Sequence, residues 1–115
     1  MITVGLVGVG DMGAQMLPRL LDAGFEVTAF DTDPDRLRSA AQAGARPAVS
    51  AAQAAAASDV VLSVVMSQDI PAAHYGAHGV LAGLGPASVL VVCSTTTPGI
   101  VQDVQAQAGA HALLV

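Results

Sequence analysis

Ile2-Thr3-Val4-Gly5-Leu6-Val7-Gly8-Val9-Gly10-Asp11-Met12-Gly13 opens the chain with a β-branched and apolar run that gives way to glycines. Such a run predicts a buried strand over 2–7 that enters a tight turn. From Met12 onward, Met16, Leu20 and Leu21 recur at helical spacing until Gly24, a suitable helix stop. Gly8, Gly10 and Gly13 therefore fall on a strand-to-helix junction. There the first permits the turn, the second lets the backbone approach a bound group, and the third lets the helix pack closely. Pro18 sits inside the helix, where a proline removes one backbone hydrogen bond at a cost of about 3 kcal/mol. A kink, or a helix that starts later than the glycine turn, would accommodate it.

Working outward, residues 26–30 read as a second strand, and Asp33-Pro34 supply an N-cap and first-turn proline for a helix reaching about Gly44. A weak third strand over 46–49 leads through Ser50 into the alanine-rich stretch 51–57, which has strong helix propensity. Residues 60–65 form a fourth strand, a helical stretch with glycine interruptions covers about 70–84, and 89–93 form a fifth strand. Thr97 and Pro98 begin another helix that reaches about Gly109, and 110–115 read as a sixth strand. Strands alternating with helices imply right-handed crossovers and a parallel sheet. The expected architecture is α/β, the Rossmann dinucleotide-binding fold: a doubly wound parallel sheet in the order 3-2-1-4-5-6, with ligands beyond the carboxyl ends of the strands.

Composition agrees and narrows the partners. A chain of 115 residues suits one domain, so 1–115 reads as a single nucleotide-binding unit. At 53% hydrophobic and 11% charged, many segments must be covered on both faces, as parallel strands are. Acidic residues outnumber basic ones nine to four, and the net charge of -5 is the wrong sign for a nucleic-acid partner. The basic residues are Arg19, Arg36, Arg38 and Arg46, so the chain has no lysine. Cys93 stands alone and the N-terminus lacks a positive signal region, which points to a cytoplasmic location. The uncharged stretch 70–102 is broken by five glycines and three prolines, which argues against a membrane span. The chain stops on the apolar run Ala112-Leu113-Leu114-Val115, the mark expected of a fragment of a longer protein.

The glycine turn acquires a cofactor from its context. It follows a strand, opens a helix, and has Asp31 at the end of the second strand, eighteen positions after Gly13. A pyrophosphate would rest on backbone N–H groups at the helix N-terminus, where the macrodipole favours negative charge. The Asp31 carboxylate would accept hydrogen bonds from the adenosine ribose diol and repel a 2′-phosphate, and Thr32 follows it rather than arginine. NAD is therefore expected over NADP. Asp33 fills the helix cap better than Asp31 does, and Arg36 belongs on the exposed face of the second helix, with contact to a 2′-phosphate as its alternative.

Several stretches together resemble the β-hydroxyacid dehydrogenases, the family of 3-hydroxyisobutyrate and 6-phosphogluconate dehydrogenases. They are Gly8-Val9-Gly10-Asp11-Met12-Gly13 with Met16 and Leu20, Ala23-Gly24-Phe25-Glu26-Val27, Ala57-Ser58-Asp59-Val60-Val61, Gly79-Val80-Leu81-Ala82-Gly83 and Ser94-Thr95-Thr96-Thr97-Pro98. The resemblance covers essentially the whole chain. It implies that Gly8, Val9, Gly10, Asp11, Met12 and Gly13 hold the pyrophosphate and that Asp31, with Thr32 beside it, holds the ribose. Val65 and Met66 would flank the adenosine side, Thr95 would lie near the nicotinamide, and Ser94 close to the substrate. Local roles stand beside these: strand-end packing for Val65 and Met66, turn hydrogen bonding for Ser94 and Thr95. Met66 replaces a common proline, Arg19 a usual asparagine and Val92 a frequent aspartate, while the loop 91–98 is also similar to the threonate dehydrogenase branch.

The activity implied is reversible hydride transfer between a short 3-hydroxy acid and NAD, with a lysine as general acid/base and the protein positioning substrate against cofactor. That lysine and the Ser-Gly-Gly segment that grips substrate belong to later sequence, so no catalytic residue is expected here. A helical domain outside the chain would supply them and the contacts of a homo-oligomer. The alternative is a stand-alone, non-catalytic NAD-binding module with a regulatory role.

Other constellations fall away. Asp31, Asp33 and Asp35 alternate like the start of a calcium loop, but Arg36 takes the glycine position and Gln42 that of the bidentate glutamate. His74 and His78 are four apart and lack a third ligand, with His111 remote, so a partly exposed structural pair is expected and no metal site. Cys93, buried in an apolar strand without a neighbouring base, would be inert.

Overall fold

The computed structural model describes residues 2–109 and the backbone of 112–114. Strands β1 (Thr3–Val7), β2 (Glu26–Phe30), β3 (Arg46–Pro47), β4 (Val60–Ser63), β5 (Val89–Val92) and β6 (Ala112–Leu114) form one sheet. Its order is β3-β2-β1-β4-β5-β6, and every neighbouring pair is parallel. The order reverses between β1 and β4, the switch point at which doubly wound sheets bind ligands. Helices α1 (Asp11–Asp22), α2 (Pro34–Ala43), α3 (Ala51–Ala56), α4 (Ile70–His74), α5 (Val80–Gly83) and α6 (Pro98–Ala108) make the connections.

Side-chain alternation splits the core into two layers. Leu6, Val27 and Ala29 pack with Leu17 of α1 and Ala40 of α2 on one face. Val61, Leu90 and Val92 pack on the other with Ala51, Ala54 and Ala55 of α3, Ile70, Val80 and Val104. The alanine-rich stretch buries Ala51, Ala54 and Ala55: small side chains let α3 approach so closely that a Cβ on Gly5 of β1 would lie 2.7 Å from Ser58 Oγ and 3.1 Å from the Ala54 oxygen. That is tighter than packed interiors tolerate, which accounts for a glycine inside a central strand.

Three expectations change. First, α1 begins at Asp11, directly after the glycine turn, so the later start is excluded. Pro18 is exposed within it and has no N–H to offer the Ala14 carbonyl. Second, the stretch 70–84 is not one helix, because α4 stops at His74 and Gly76, at φ 80°, turns the chain before α5. Third, β3 is only Arg46–Pro47, since Pro47 lacks the N–H that a longer ladder needs, although Ala48 N still donates to Ala29 O at 2.8 Å. Of the expected sixth strand, 112–114 pair with β5 as predicted, while 110, 111 and 115 lie outside the described residues.

Candidate functional site

Register brings the carboxyl ends of the central strands level, with Val7 opposite both Phe30 and Ser63. The chain leaves β1 pinned on both sides, Gly8 N donating to Phe30 O at 2.9 Å and Val64 N donating to Val7 O at 2.8 Å. Gly8 has φ 97°, and a Cβ there would collide with the Val64 carbonyl; one on Gly13 would collide with the Gly8 carbonyl. Backbone packing alone thus demands these two glycines. Gly10 differs: the nearest atom to a Cβ at that position is Arg36 Nη1, at 3.2 Å, the movable tip of a long side chain. The missing side chain at Gly10 leaves above the backbone a space that only this movable tip approaches.

Helix α1 has Gly10 as its N-cap residue and therefore no side-chain cap. The first N–H groups of a helix have no intrahelical partner, so this end presents free donors and the positive end of a dipole. Asp31 braces the same turn. Its Oδ2 accepts from Val9 N at 2.7 Å and its Oδ1 from Asp33 N at 2.8 Å, leaving each oxygen a further lone pair. Asp33 caps α2 by accepting from Asp35 N at 2.9 Å, as expected, which frees Asp31 from that task.

A groove of about 970 Å³ runs along the switch point, a size that suits a cofactor. Gly8, Gly10, Asp11, Met12 and Gly13 line it, with Asp31 and Thr32 at β2, Val65 and Met66 after β4, and Ser94 and Thr95 after β5. Val9 is the exception among the anticipated contacts: its side chain is buried with Leu6 and Leu17, and its N–H goes to Asp31. Met12 and Met66 are 59% and 66% exposed, apolar surfaces on the groove with nothing against most of their area. The loops after β4 and β5 are tied twice, by Ser94 Oγ donating to Val65 O and by Ser67 Oγ and Thr96 Oγ1 at 2.7 Å. Ser94 therefore spends its hydroxyl on a bond to another loop, 29 residues away in sequence, rather than on its own turn, and it also lines the groove.

Lining groups absent from the sequence expectations include Val49 and Asp69. Val49 is held in place by Gln53 Oε1, which accepts from its N–H at 2.7 Å, while Ser50 Oγ accepts from Gln53 N at 3.0 Å. Ser50-x-x-Gln53 is a capping-box spacing, the signal that could have located this wall.

The histidines part company. His74 is fully buried at the end of α4, with Nδ1 2.8 Å from Ile70 O, while His78 lies beyond that helix and lines the groove. They are not the partly exposed pair on one helix face that their spacing suggests. Burial pushes the His74 pKa down, opposed by the carbonyl bond, so the ring stays neutral near neutral pH. Its Nε2 and Ser63 Oγ are buried side-chain atoms without a partner among the described residues. Cys93 follows β5 rather than lying in it and is half-buried at the groove; desolvation pushes its thiol pKa up, which keeps it protonated. Among the described residues no three His, Cys, Asp or Glu side chains gather as a metal site, and no helix is long and apolar enough to cross a membrane.

A free helix N-terminus at a glycine turn, a carboxylate just after β2 and a groove across the switch point lie together in a chain that matches a known family model along its length. The NAD-binding domain of 6-phosphogluconate dehydrogenase matches residues 3–115. This chain belongs to that family. It is 34% identical over 97% of its length to L-threonate dehydrogenase of Cupriavidus necator, and 32% identical over 98% to 3-hydroxyisobutyrate dehydrogenase of Pseudomonas aeruginosa. The solved structure of Mycobacterium tuberculosis 3-hydroxyisobutyrate dehydrogenase with L-serine superposes with a TM-score of 0.86 at 32% identity, covering 99% of this chain. In each case the match spans 38% of the other protein. The chain is an NAD-binding domain of the 3-hydroxyisobutyrate dehydrogenase-like type.

Proposed function

We propose that this domain holds NAD for a dehydrogenase that oxidises a short 3-hydroxy acid. The observation that carries the reading is the uncapped start of α1 at Gly10, braced by the carboxylate of Asp31. The N–H groups of the turn would receive the pyrophosphate, with Gly8, Gly10 and Gly13 keeping the approach clear and Asp11 and Met12 lining it. The free lone pairs of Asp31 would accept from the ribose hydroxyls beside Thr32. Val65 and Met66 would cover the adenosine side, and Thr95 would lie at the nicotinamide. When bound, the nicotinamide supplies the hydride acceptor. Ser94, its hydroxyl tied to Val65 O, would hold the β5 loop beside the substrate.

The chain has no lysine, so the general acid/base of this chemistry would come from a second, helical domain outside these residues, which would also form the contacts of a homo-oligomer. The relatives named for L-threonate and 3-hydroxyisobutyrate support a small hydroxy carboxylate as the substrate class. The acidic balance and the single cysteine support a cytoplasmic setting without nucleic-acid partners.

Calorimetric titration tests the cofactor side. NAD is expected to bind more tightly than NADP, because the Asp31 carboxylate accepts from a diol and repels a 2′-phosphate. Equal or tighter NADP binding would overturn that role for Asp31. On the substrate side, the 115-residue chain mixed with NAD and 3-hydroxyisobutyrate should produce no NADH, and turnover there would remove the need for a second domain.

A further inference from the structure

We infer that Arg36 is the cation that meets the pyrophosphate of the bound dinucleotide, releasing Asp33 and closing over Gly10; this rests on the NAD reading of the groove. Among the described residues Arg36 is the only lysine or arginine lining the groove, whose lining also includes the carboxylates of Asp11, Asp31 and Asp69. A pyrophosphate placed there would meet the N–H groups of α1, but Asp11 in the first turn of that helix offsets part of their positive field. The guanidinium supplies what is missing, at the right place. Its Nη1 lies 3.2 Å from where a Cβ of Gly10 would be, in the space that Gly10 opens above the turn.

The hold on Arg36 is loose. Its Nε lies 3.7 Å from Asp33 Oδ2, beyond hydrogen-bond length, and the two side chains are 56% and 48% exposed. On the same helix Arg38 Nη1 is 2.8 Å from Asp35 Oδ1, a formed hydrogen bond at a pair that does not line the groove. The two pairs share the spacing i,i+3, and it is the one beside the glycine turn that holds its cation more loosely. Swinging from Asp33 to a phosphate exchanges a weak, solvent-screened contact for a planar fork on two anionic oxygens. The same position argues for the pyrophosphate over a 2′-phosphate, because Gly10 marks the approach to the pyrophosphate while the ribose end lies at Asp31.

Titration of the protein, Arg36→Gln and Arg36→Lys with ADP-ribose, NAD, NADP and adenosine decides the matter. Arg36→Gln is expected to weaken ADP-ribose and NAD about ten-fold, the scale of one charge-assisted hydrogen bond, and to flatten their salt dependence. Arg36→Lys should recover part of the loss, and adenosine, which has no phosphate, should bind all three proteins equally. Undiminished ADP-ribose affinity in Arg36→Gln overturns the inference while leaving the cofactor site intact. A loss confined to NADP overturns it by moving the guanidinium to a 2′-phosphate, and an equal loss of adenosine moves it to the base. If the unaltered protein binds neither ADP-ribose nor NAD, the cofactor reading itself falls and Arg36 falls with it. Melting temperature and circular dichroism matching the unaltered protein keep each comparison clear of misfolding.

Discussion

Helices α1 and α6 both begin where the chain leaves the carboxyl edge of the sheet, yet their first turns are finished in opposite ways. Helix α6 opens with Thr97, whose hydroxyl accepts from Ile100 N at 3.4 Å, followed by Pro98, which has no N–H to satisfy. Helices α2 and α3 are closed similarly, by Asp33 and Ser50. Helix α1 opens with Gly10 and no side-chain cap. A helix end that caps itself has answered its own donors, whereas one left bare at a groove has them available for an anion. The difference lies in what the fold leaves undone at α1, and it separates residues that build the turn from residues that keep it open.

The sharpest break in that comparison is Gly13→Ala. Its Cβ would press on the Gly8 carbonyl, so the turn must deform, and stability should fall by about 3 kcal/mol, the upper end for forcing atoms into packed structure. Urea unfolding reads this; an unchanged midpoint would mean that the third glycine is not needed for packing. Gly10→Ala should act differently, shifting stability by less than about 1 kcal/mol because only the Arg36 tip is near, while weakening NAD at least about ten-fold by filling the approach. Parallel unfolding and titration separate the two effects, and a variant that binds NAD normally would take the ligand role away from Gly10. Thr97→Ala should be the mildest, costing about 1 kcal/mol through the lost cap. Its NAD affinity should hold, since Thr97 does not line the groove.

Much of this was legible in the chain. The caps Asp33-Pro34 and Thr97-Pro98 placed two helix starts to the residue, and the alternation of apolar strands with helices predicted the order of the sheet. Signals of this kind act within one turn or one strand, where the local backbone decides the outcome. The misreadings share a cause. The stretch 70–84 reads as helical with glycine interruptions, but at Gly76 the interruption is a full turn of the chain, and the spacing of His74 and His78 therefore lost its meaning as a shared face. Of the two ways to accommodate Pro18, the later start is excluded because α1 begins at Asp11, and the exposed proline ring leaves the buried side of α1 to Leu17.

The glycine spacing, the carboxylate after β2 and the small residues of α3 were determined by the sequence, because turn geometry, helix caps and close packing each demand a residue type at a position. Which glycine serves the fold and which serves a ligand was decided only by tertiary structure. Gly8 and Gly13 are read by backbone carbonyls that arrive from the residue after β4 and from the turn itself, and Gly10 by a side chain from α2. The bond from Val9 N to Asp31, across 22 residues, and the placement of the Arg36 tip over Gly10 have the same origin. Where a long side chain ends depends on how separate strands and helices pack together, and no local pattern along the chain encodes that distance.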